Sequence, residues 1–239
     1  MRDVLVFNGA SHLDFQDIRT NVVRIPEVVN RIREAQKIWD TISNIPLDLA
    51  NFIGSEDEVF LGHIRLKSFA SAVVQVGLLD RYLKTNPLPG FMVGIINGDS
   101  PMTVAMGQKS FFDLVSESPS TGNPLTSAVG SSELPISSTE LPILSGVQIA
   151  EYAIFRRNPQ GVYERLGSDT REVEKMLIDL ADQYDVQKFI MVGPGNSVGG
   201  RKLMDLTSRD IQILETIDMD PMLSWFWSAL KQNRLAIAN

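Results

Sequence analysis

Short apolar runs recur along the chain, and each is followed by a turn rich in small residues. Residues 3–7, 91–96 and 188–192 are dominated by Val, Leu, Ile, Phe and Met, and a glycine follows each run within a few positions. Runs of this length between turn residues are typical of buried strands in a parallel sheet. Two further strands are predicted at residues 147–155 and 211–216.

Segments with helical periodicity lie between these runs. After Pro26, residues 27–42 predict an amphipathic helix whose apolar positions share one face: Val28, Val29, Ile32, Ala35, Ile38, Trp39 and Ile42. Residues 64–83 predict a long and largely buried helix. A third helix is predicted to be capped by Asp169 or Thr170 and to end at Tyr184, with Val173, Met176, Leu177, Leu180 and Ala181 facing inward. Residues 198–206 and 222–231 predict two more.

Strands that alternate with helices indicate an α/β fold, with a mostly parallel sheet flanked by helices. The composition changes between residues 116 and 145, where Ser, Thr, Pro and Gly are abundant. No basic residue occurs between Lys109 and Arg156. This stretch predicts a loop or an extended crossing segment, and a turn is expected at residues 158–161. Residues 1–239 are therefore interpreted as one domain.

The composition and charge of the chain argue against several classes of function. The chain has 239 residues, of which 44% are hydrophobic and 21% charged, so it is long enough to bury a core. A formal net charge of −7 argues against nucleic acid and anionic membranes as partners. The chain has no cysteine and two histidines, His12 and His63, and no metal site or cofactor is predicted. With neither a signal peptide nor a membrane span predicted, a cytoplasmic location is expected.

The candidate chemistry lies in the turn after the second strand. Gly98 and Pro101 suit a tight turn into a helix, and they place the Ser100 hydroxyl near the start of that helix. α/β enzymes expose a nucleophilic serine at such a turn, where backbone N–H groups can hold an oxyanion. The alternative is that Ser100 only caps the helix. Met102 stands where a nucleophile turn usually has its second glycine.

Three stretches in this order resemble one enzyme family. They are Val4-Leu-Val-Phe-Asn-Gly-Ala-Ser-His12, then Gly98-Asp-Ser-Pro-Met102 with Ala105-Met-Gly and Ser110-Phe-Phe-Asp-Leu, and finally Gln187-Lys-Phe-Ile-Met-Val-Gly-Pro-Gly-Asn-Ser-Val-Gly-Gly200. Together they resemble the malonyl-CoA:acyl-carrier-protein transacylases, which include the acyltransferase domains of polyketide synthases. The resemblance covers roughly residues 1–115 and 165–239.

The resemblance implies roles for individual residues. Ser100 corresponds to the acyl-accepting nucleophile, and Ala10 takes the place of the glutamine whose backbone N–H helps to form the oxyanion hole. The residues placed in the turns or lining the site are Gly98, Asp99, Pro101, Met102, Gly193, Gly195 and Asn196.

The chain also departs from the family pattern. Asp99 replaces the histidine before the nucleophile, and its carboxylate would oppose a developing alkoxide or an incoming malonyl carboxylate. The arginine that pairs with malonyl would fall near Thr121, which cannot replace it. The family's catalytic histidine has no counterpart, since no histidine follows His63. The small ferredoxin-like subdomain is expected to be missing, with residues 116–145 in its place.

Three functional hypotheses follow. The first is an acyltransferase-like protein with impaired catalysis that binds an acyl carrier protein, a synthase subunit or an acyl-CoA-like ligand. Five basic residues are candidates for docking an acidic carrier, although solvated helix positions explain them as well: Arg31, Arg33, Lys37, Arg201 and Lys202.

The second hypothesis is an active serine acyltransferase or acyl hydrolase that takes a neutral acyl thioester. Ser100 would be the nucleophile and His63 or His12 the base, although a structural or solvated role is the alternative for each histidine. The third hypothesis is a structural or oligomeric role. Trp225, Phe226 and Trp227 on the last predicted helix cannot all face one core, and they would then form a homo-oligomer interface.

Overall fold

A six-stranded sheet carries helices on both faces in the computed structural model, which describes residues 2–9, 13–57, 62–95, 99–117, 149–194 and 209–214. The strands are β1 Asp3–Phe7, β2 Phe91–Ile95, β3 Ile149–Arg157, β4 Tyr163–Glu172, β5 Lys188–Val192 and β6 Asp210–Ile213. The helices are α1 Phe15–Thr20, α2 Pro26–Ile42, α3 Leu49–Gly54, α4 Ile64–Leu83, α5 Asp99–Ala105, α6 Phe111–Glu117 and α7 Val173–Tyr184. A short 3₁₀ turn, Val22–Arg24, leads into α2.

The strand order is β4-β3-β2-β1-β5-β6. β1 lies parallel to both β2 and β5, and β6 is parallel to β5. β3 and β4 form a hairpin that joins the sheet antiparallel to β2. The predicted α/β fold with a helix-flanked sheet is confirmed, and the hairpin makes one end of the sheet antiparallel. Its turn is the one expected at residues 158–161, where the Gly161 N–H donates to the Asn158 carbonyl at 2.9 Å.

Alternate residues of the strands enter two separate apolar clusters, because successive side chains of a strand point to opposite faces. Leu5 and Phe7 of β1 belong to the cluster that α1 to α6 cover. Val4 and Val6 belong to the cluster that α7 covers. The inward face predicted for α7 is confirmed, since its five apolar residues are buried: Val173, Met176, Leu177, Leu180 and Ala181.

Most element boundaries agree with the sequence. α4 has the predicted limits, and α2 begins one residue early at Pro26. Ile42, predicted to face inward, is 37% exposed, because it is the last residue of α2. The predicted cap at Asp169 or Thr170 is wrong. Both residues lie in β4, whose pairing with β3 continues to Glu172, so α7 starts only at Val173.

Several predicted segments lie outside the described residues. These are the helix at 198–206 with Arg201 and Lys202, the helix at 222–231 with Trp225 to Trp227, and nearly all of the crossing segment at 116–145. The first two residues of that segment are described and belong to α6 rather than to a loop. Among the helices that the structure describes, none is long and apolar enough to cross a bilayer.

Arg31 of α2 connects this helix with both α4 and α6. The Arg31 guanidinium binds the Asp80 carboxylate at 2.5 and 3.2 Å, and it lies 4.5 Å from the centroid of the Phe111 ring. α2 also approaches α4 very closely at Gly77, where a Cβ atom would lie 2.6 Å from the Val28 Cα. Glycine is therefore required by contact with the α2 backbone.

Two buried tyrosines lie beneath the amino-terminal ends of the strands, at the end of α4 and the start of β4. The Tyr163 hydroxyl donates to the Pro89 carbonyl at 2.7 Å. Burial raises the pKa of Tyr163 to about 12. Burial, helped by the charge of Asp3, raises the pKa of Tyr82 to about 12 as well. Both phenols are held neutral by the fold.

Alkaline pH is therefore expected to destabilise the fold. The unfolded chain ionises its tyrosines near pH 10, whereas the folded chain holds these two neutral up to about pH 12. Their contribution is fully present below pH 10 and is lost as the pH rises through 12, at up to about 1.4 kcal/mol per tyrosine and pKa unit. Urea unfolding across this range measures the loss. A Tyr82→Phe, Tyr163→Phe double variant should show a weaker pH dependence, and an identical dependence would contradict the assignment.

Candidate functional site

The carboxyl ends of β1, β2 and β5 form the candidate site. From β1 the chain crosses to β2 on one side, and it later returns to β5 on the other side of β1. In parallel α/β sheets, ligands bind outside the carboxyl ends of the strands where the strand order reverses in this way. Three segments meet at this edge: Asn8 after β1, Ser100 after β2, and Gly193 after β5.

Ser100 is exposed in the first turn of α5. The helix begins at Asp99, so Ser100 is its second residue and not the residue that precedes it. The Thr103 hydroxyl donates to the Ser100 carbonyl at 2.7 Å. Pro101 and Met102 are buried, and Met102 belongs to the apolar cluster beneath α1 to α6. These buried neighbours fix α5 to the core and leave the serine facing outward.

A buried glutamine ties the ends of β1 and β5 together. The Gln75 side-chain amide donates two hydrogen bonds, to the carbonyls of Asn8 and Val192, both at 2.9 Å. Gln75 and Asn8 are each 1% exposed. Since α4 supplies the two donors, it holds these strand ends at a fixed separation. The Oδ1 atom of Asn8 is buried and has no hydrogen-bond partner among the residues that the structure describes.

The turns that follow β1 and β5 also contact each other. Gly193 has a φ of +112°, and a Cβ atom there would lie 2.5 Å from Cδ2 of Leu13. Only glycine adopts this conformation readily, and a Cβ atom would also push the Leu13 side chain aside. The Asp14 N–H donates to the Pro194 carbonyl at 2.9 Å. The Gly-Pro turn therefore has a fixed place beside the segment that leads into α1.

His63 precedes α4 and acts as its cap. Its Nδ1 atom accepts a hydrogen bond from the Leu66 N–H at 3.5 Å. Because α4 runs toward the start of β2, its first residue lies on the carboxyl side of the sheet. His63 precedes Gln75 by twelve residues, which is about 18 Å along a helix axis. Because Nδ1 accepts the cap hydrogen bond, the neutral imidazole carries its proton on Nε2, so His63 would have to release the cap before it could act as a base.

Of the other predicted site residues, two lie in the described part of the chain and five lie outside it. Asp99 starts α5, and Gly193 is placed as described above. Five lie outside the described residues: Ala10, His12, Gly98, Gly195 and Asn196. Within the part of the chain that the structure describes, no group of three or more His, Asp or Glu side chains could hold a metal ion.

Sequence reasoning missed Gln75 and Asn8. Gln75 lies within the run Ala72-Val-Val-Gln-Val-Gly-Leu78, whose pattern predicts only a buried helix. A polar residue inside such a run has to find partners, because an unpaired buried amide is costly. That is the signal in the sequence, although it does not say which carbonyls the amide reaches.

Solved structures resemble this chain in fold, at low sequence identity. No family model matches the chain, and no curated protein matches it. The malonyl-CoA:acyl-carrier-protein transacylase of Coxiella burnetii matches with a TM-score of 0.57 and 14% identity, over 97% of each chain. The transacylase of Synechocystis sp. PCC 6803 matches with a TM-score of 0.55 and 11% identity, over 91% of this chain and 98% of that one.

A third match is a malonyl transacylase solved in complex with its type II polyketide-synthase acyl-carrier protein. It has a TM-score of 0.55 and 12% identity, over 89% of this chain and 95% of that one. All three structures are malonyl transacylases, as the sequence motifs predict. At these identities the likeness concerns architecture, and this chain has the fold of the malonyl-CoA:acyl-carrier-protein transacylases.

Proposed function

We propose that this chain is an acyltransferase-like protein of fatty-acid or polyketide type, with impaired catalysis. It binds an acyl carrier protein, a synthase subunit or an acyl ligand at the carboxyl edge of its sheet. The main support for the proposal is the exposed Ser100 in the first turn of α5. This turn lies where the strand order reverses, in a chain that has the fold of the transacylases.

The residues available to activate Ser100 support the proposal that catalysis is impaired. A serine hydroxyl needs a general base to become an effective nucleophile. The chain has two histidines, and the Nδ1 atom of His63 already accepts a hydrogen bond from its own helix. Asp99, directly before the serine, would raise the cost of forming an alkoxide. The absence of basic residues between Lys109 and Arg156 argues against a dicarboxylic acyl substrate.

Charge limits how a carrier protein would dock. Arg31, one of the basic candidates, is engaged by Asp80 and Glu34 and is therefore less available to a partner. Arg33 and Lys37 are exposed on the same helix and remain the better candidates. The net charge of −7 disfavours an acidic partner elsewhere on the surface.

An active serine acyltransferase or acyl hydrolase is the second candidate. It is favoured by the exposure of Ser100, which leaves the hydroxyl open to an incoming thioester. A neutral acyl group would be its substrate, since a neutral group needs no arginine. His63, once released from the cap of α4, or His12 would serve as the base.

Intact-mass measurement separates the two candidates. The protein is incubated with malonyl-, acetyl- and long-chain acyl-CoA, and binding of the same thioesters and of a holo acyl carrier protein is measured by calorimetry. We expect non-covalent binding without an acyl adduct. An adduct that disappears in Ser100→Ala but persists in Ser110→Ala, which alters an exposed serine directly before α6, would establish the active enzyme instead. Binding of neither a thioester nor the carrier would refute the proposal that the site takes an acyl ligand or a carrier protein.

A further inference from the structure

Asn8 is the residue with which the central strand reaches the candidate site. It directly follows β1, whose last residue, Phe7, lies beside Gly94 of β2 and Val192 of β5. β1 is thus flanked by the strand that leads to Ser100 and by the strand that leads to the Gly193 turn. A ligand bound where the strand order reverses therefore lies over the end of β1.

The Asn8 side chain is buried but incompletely paired. The residue is 1% exposed, and Oδ1 has no hydrogen-bond partner among the described residues. Its backbone carbonyl, in contrast, is bound by Gln75. A buried acceptor without a donor costs free energy, and in native proteins such a group is met by an ordered water or an ion, or it is used in function. The neighbouring Gln75 shows the normal case, because its amide group makes two hydrogen bonds.

We infer that Asn8 Oδ1 is a ligand-binding acceptor, which takes a hydrogen bond from an N–H or O–H group of the acyl thioester bound at this edge. The inference rests on the proposed function and adds a chemical requirement to it. Two parts of a thioester ligand carry such donors: the CoA portion, whose pantetheine arm has amides and a hydroxyl, and a hydroxylated acyl chain. A malonyl group offers Oδ1 only acceptors and could not supply the donor from the acyl side.

The test uses Asn8→Leu, which has a similar size and no hydrogen-bonding group. Unfolding by urea and the Kd values of butyryl-CoA and 3-hydroxybutyryl-CoA are measured for the full chain. We expect the urea midpoint to stay the same or rise, because an unpaired buried oxygen is removed. At the same time we expect Kd to increase about tenfold, the value of one hydrogen bond. The matched control is Asn30→Leu, which alters an exposed asparagine on α2 and should change neither Kd.

The two ligands identify the donor. An equal loss of affinity for both assigns the donor to the CoA portion that they share, and a loss confined to 3-hydroxybutyryl-CoA assigns the acyl hydroxyl. Unchanged Kd values for both ligands would overturn the inference while leaving the proposed function intact. If the wild-type protein binds neither thioester, the acyl-ligand form of the proposed function fails and the inference fails with it. Should Asn8→Leu not fold, Asn8→Ala removes the same oxygen without adding atoms, and the same Kd criterion applies.

Discussion

Gly77→Ala is expected to lower the free energy of unfolding by about 1–3 kcal/mol, the usual cost of overpacking, and toward the upper end because the contact is with backbone. The added Cβ would lie 2.6 Å from the Cα and 3.0 Å from the backbone N of Val28. A flexible side chain could turn away, but these atoms belong to the α2 backbone, so α2 and α4 would have to separate. The gain of about 1 kcal/mol from replacing glycine within a helix is too small to compensate.

Urea unfolding followed by circular dichroism measures this effect. Gly54→Ala is the matched control, since no atom lies within 4 Å of the corresponding Cβ at the end of α3. That variant should be as stable as the wild type or slightly more stable. Equal stability of the two variants would show that α2 and α4 can accommodate a methyl group, and that their close approach is not required.

Gln75→Leu should cost about 2–4 kcal/mol, because two buried carbonyls lose their shared donor group. The Asn8 carbonyl lies directly after β1 and the Val192 carbonyl at the end of β5, and the amide binds both at 2.9 Å. Leucine cannot donate to either of them. We therefore expect a lower urea midpoint together with weaker thioester binding, because the ends of β1 and β5 would lose their fixed separation.

Ser71→Ala is the comparison for this variant. Ser71 is buried on the same helix at 2% exposure, but its hydroxyl donates to the Lys67 carbonyl one turn earlier. Removing a hydrogen bond within the helix should change the free energy of unfolding by less than about 1 kcal/mol. If the two variants lost equal stability, the bridge between the strands would have no special importance.

The sequence predicted those parts of the fold that local patterns determine. α4 is apolar on nearly every face, and β2 and β5 are short apolar runs between turns, so their limits could be derived from the pattern. β4 could not be. Its sequence, Tyr-Glu-Arg-Leu-Gly-Ser-Asp-Thr-Arg-Glu, has neither a clear alternation nor many β-branched residues. Pairing with β3 across the hairpin forms this strand, and a pairing partner is not visible in the pattern of one segment alone.

The candidate site shows the same division. The position of Ser100 after a buried strand followed from the run of residues 91–101. The bridge from Gln75 to Asn8 and Val192 did not, because it joins residues that only the folded sheet brings together. The roles of Ala10, His12, Gly98, Gly195 and Asn196 remain predictions, and so does the role of His63 as a base.

The Gln75 bridge has a consequence for the order of folding. Its two hydrogen bonds join residues 67 and 117 positions apart in the chain. Contacts over such separations form slowly, since a long loop must close before they are gained. A chain that has assembled α2, α4, β1 and β2 still lacks β5, so its site cannot yet be complete. Ligand binding should therefore recover only in the last kinetic phase of refolding, after most of the helical signal has returned.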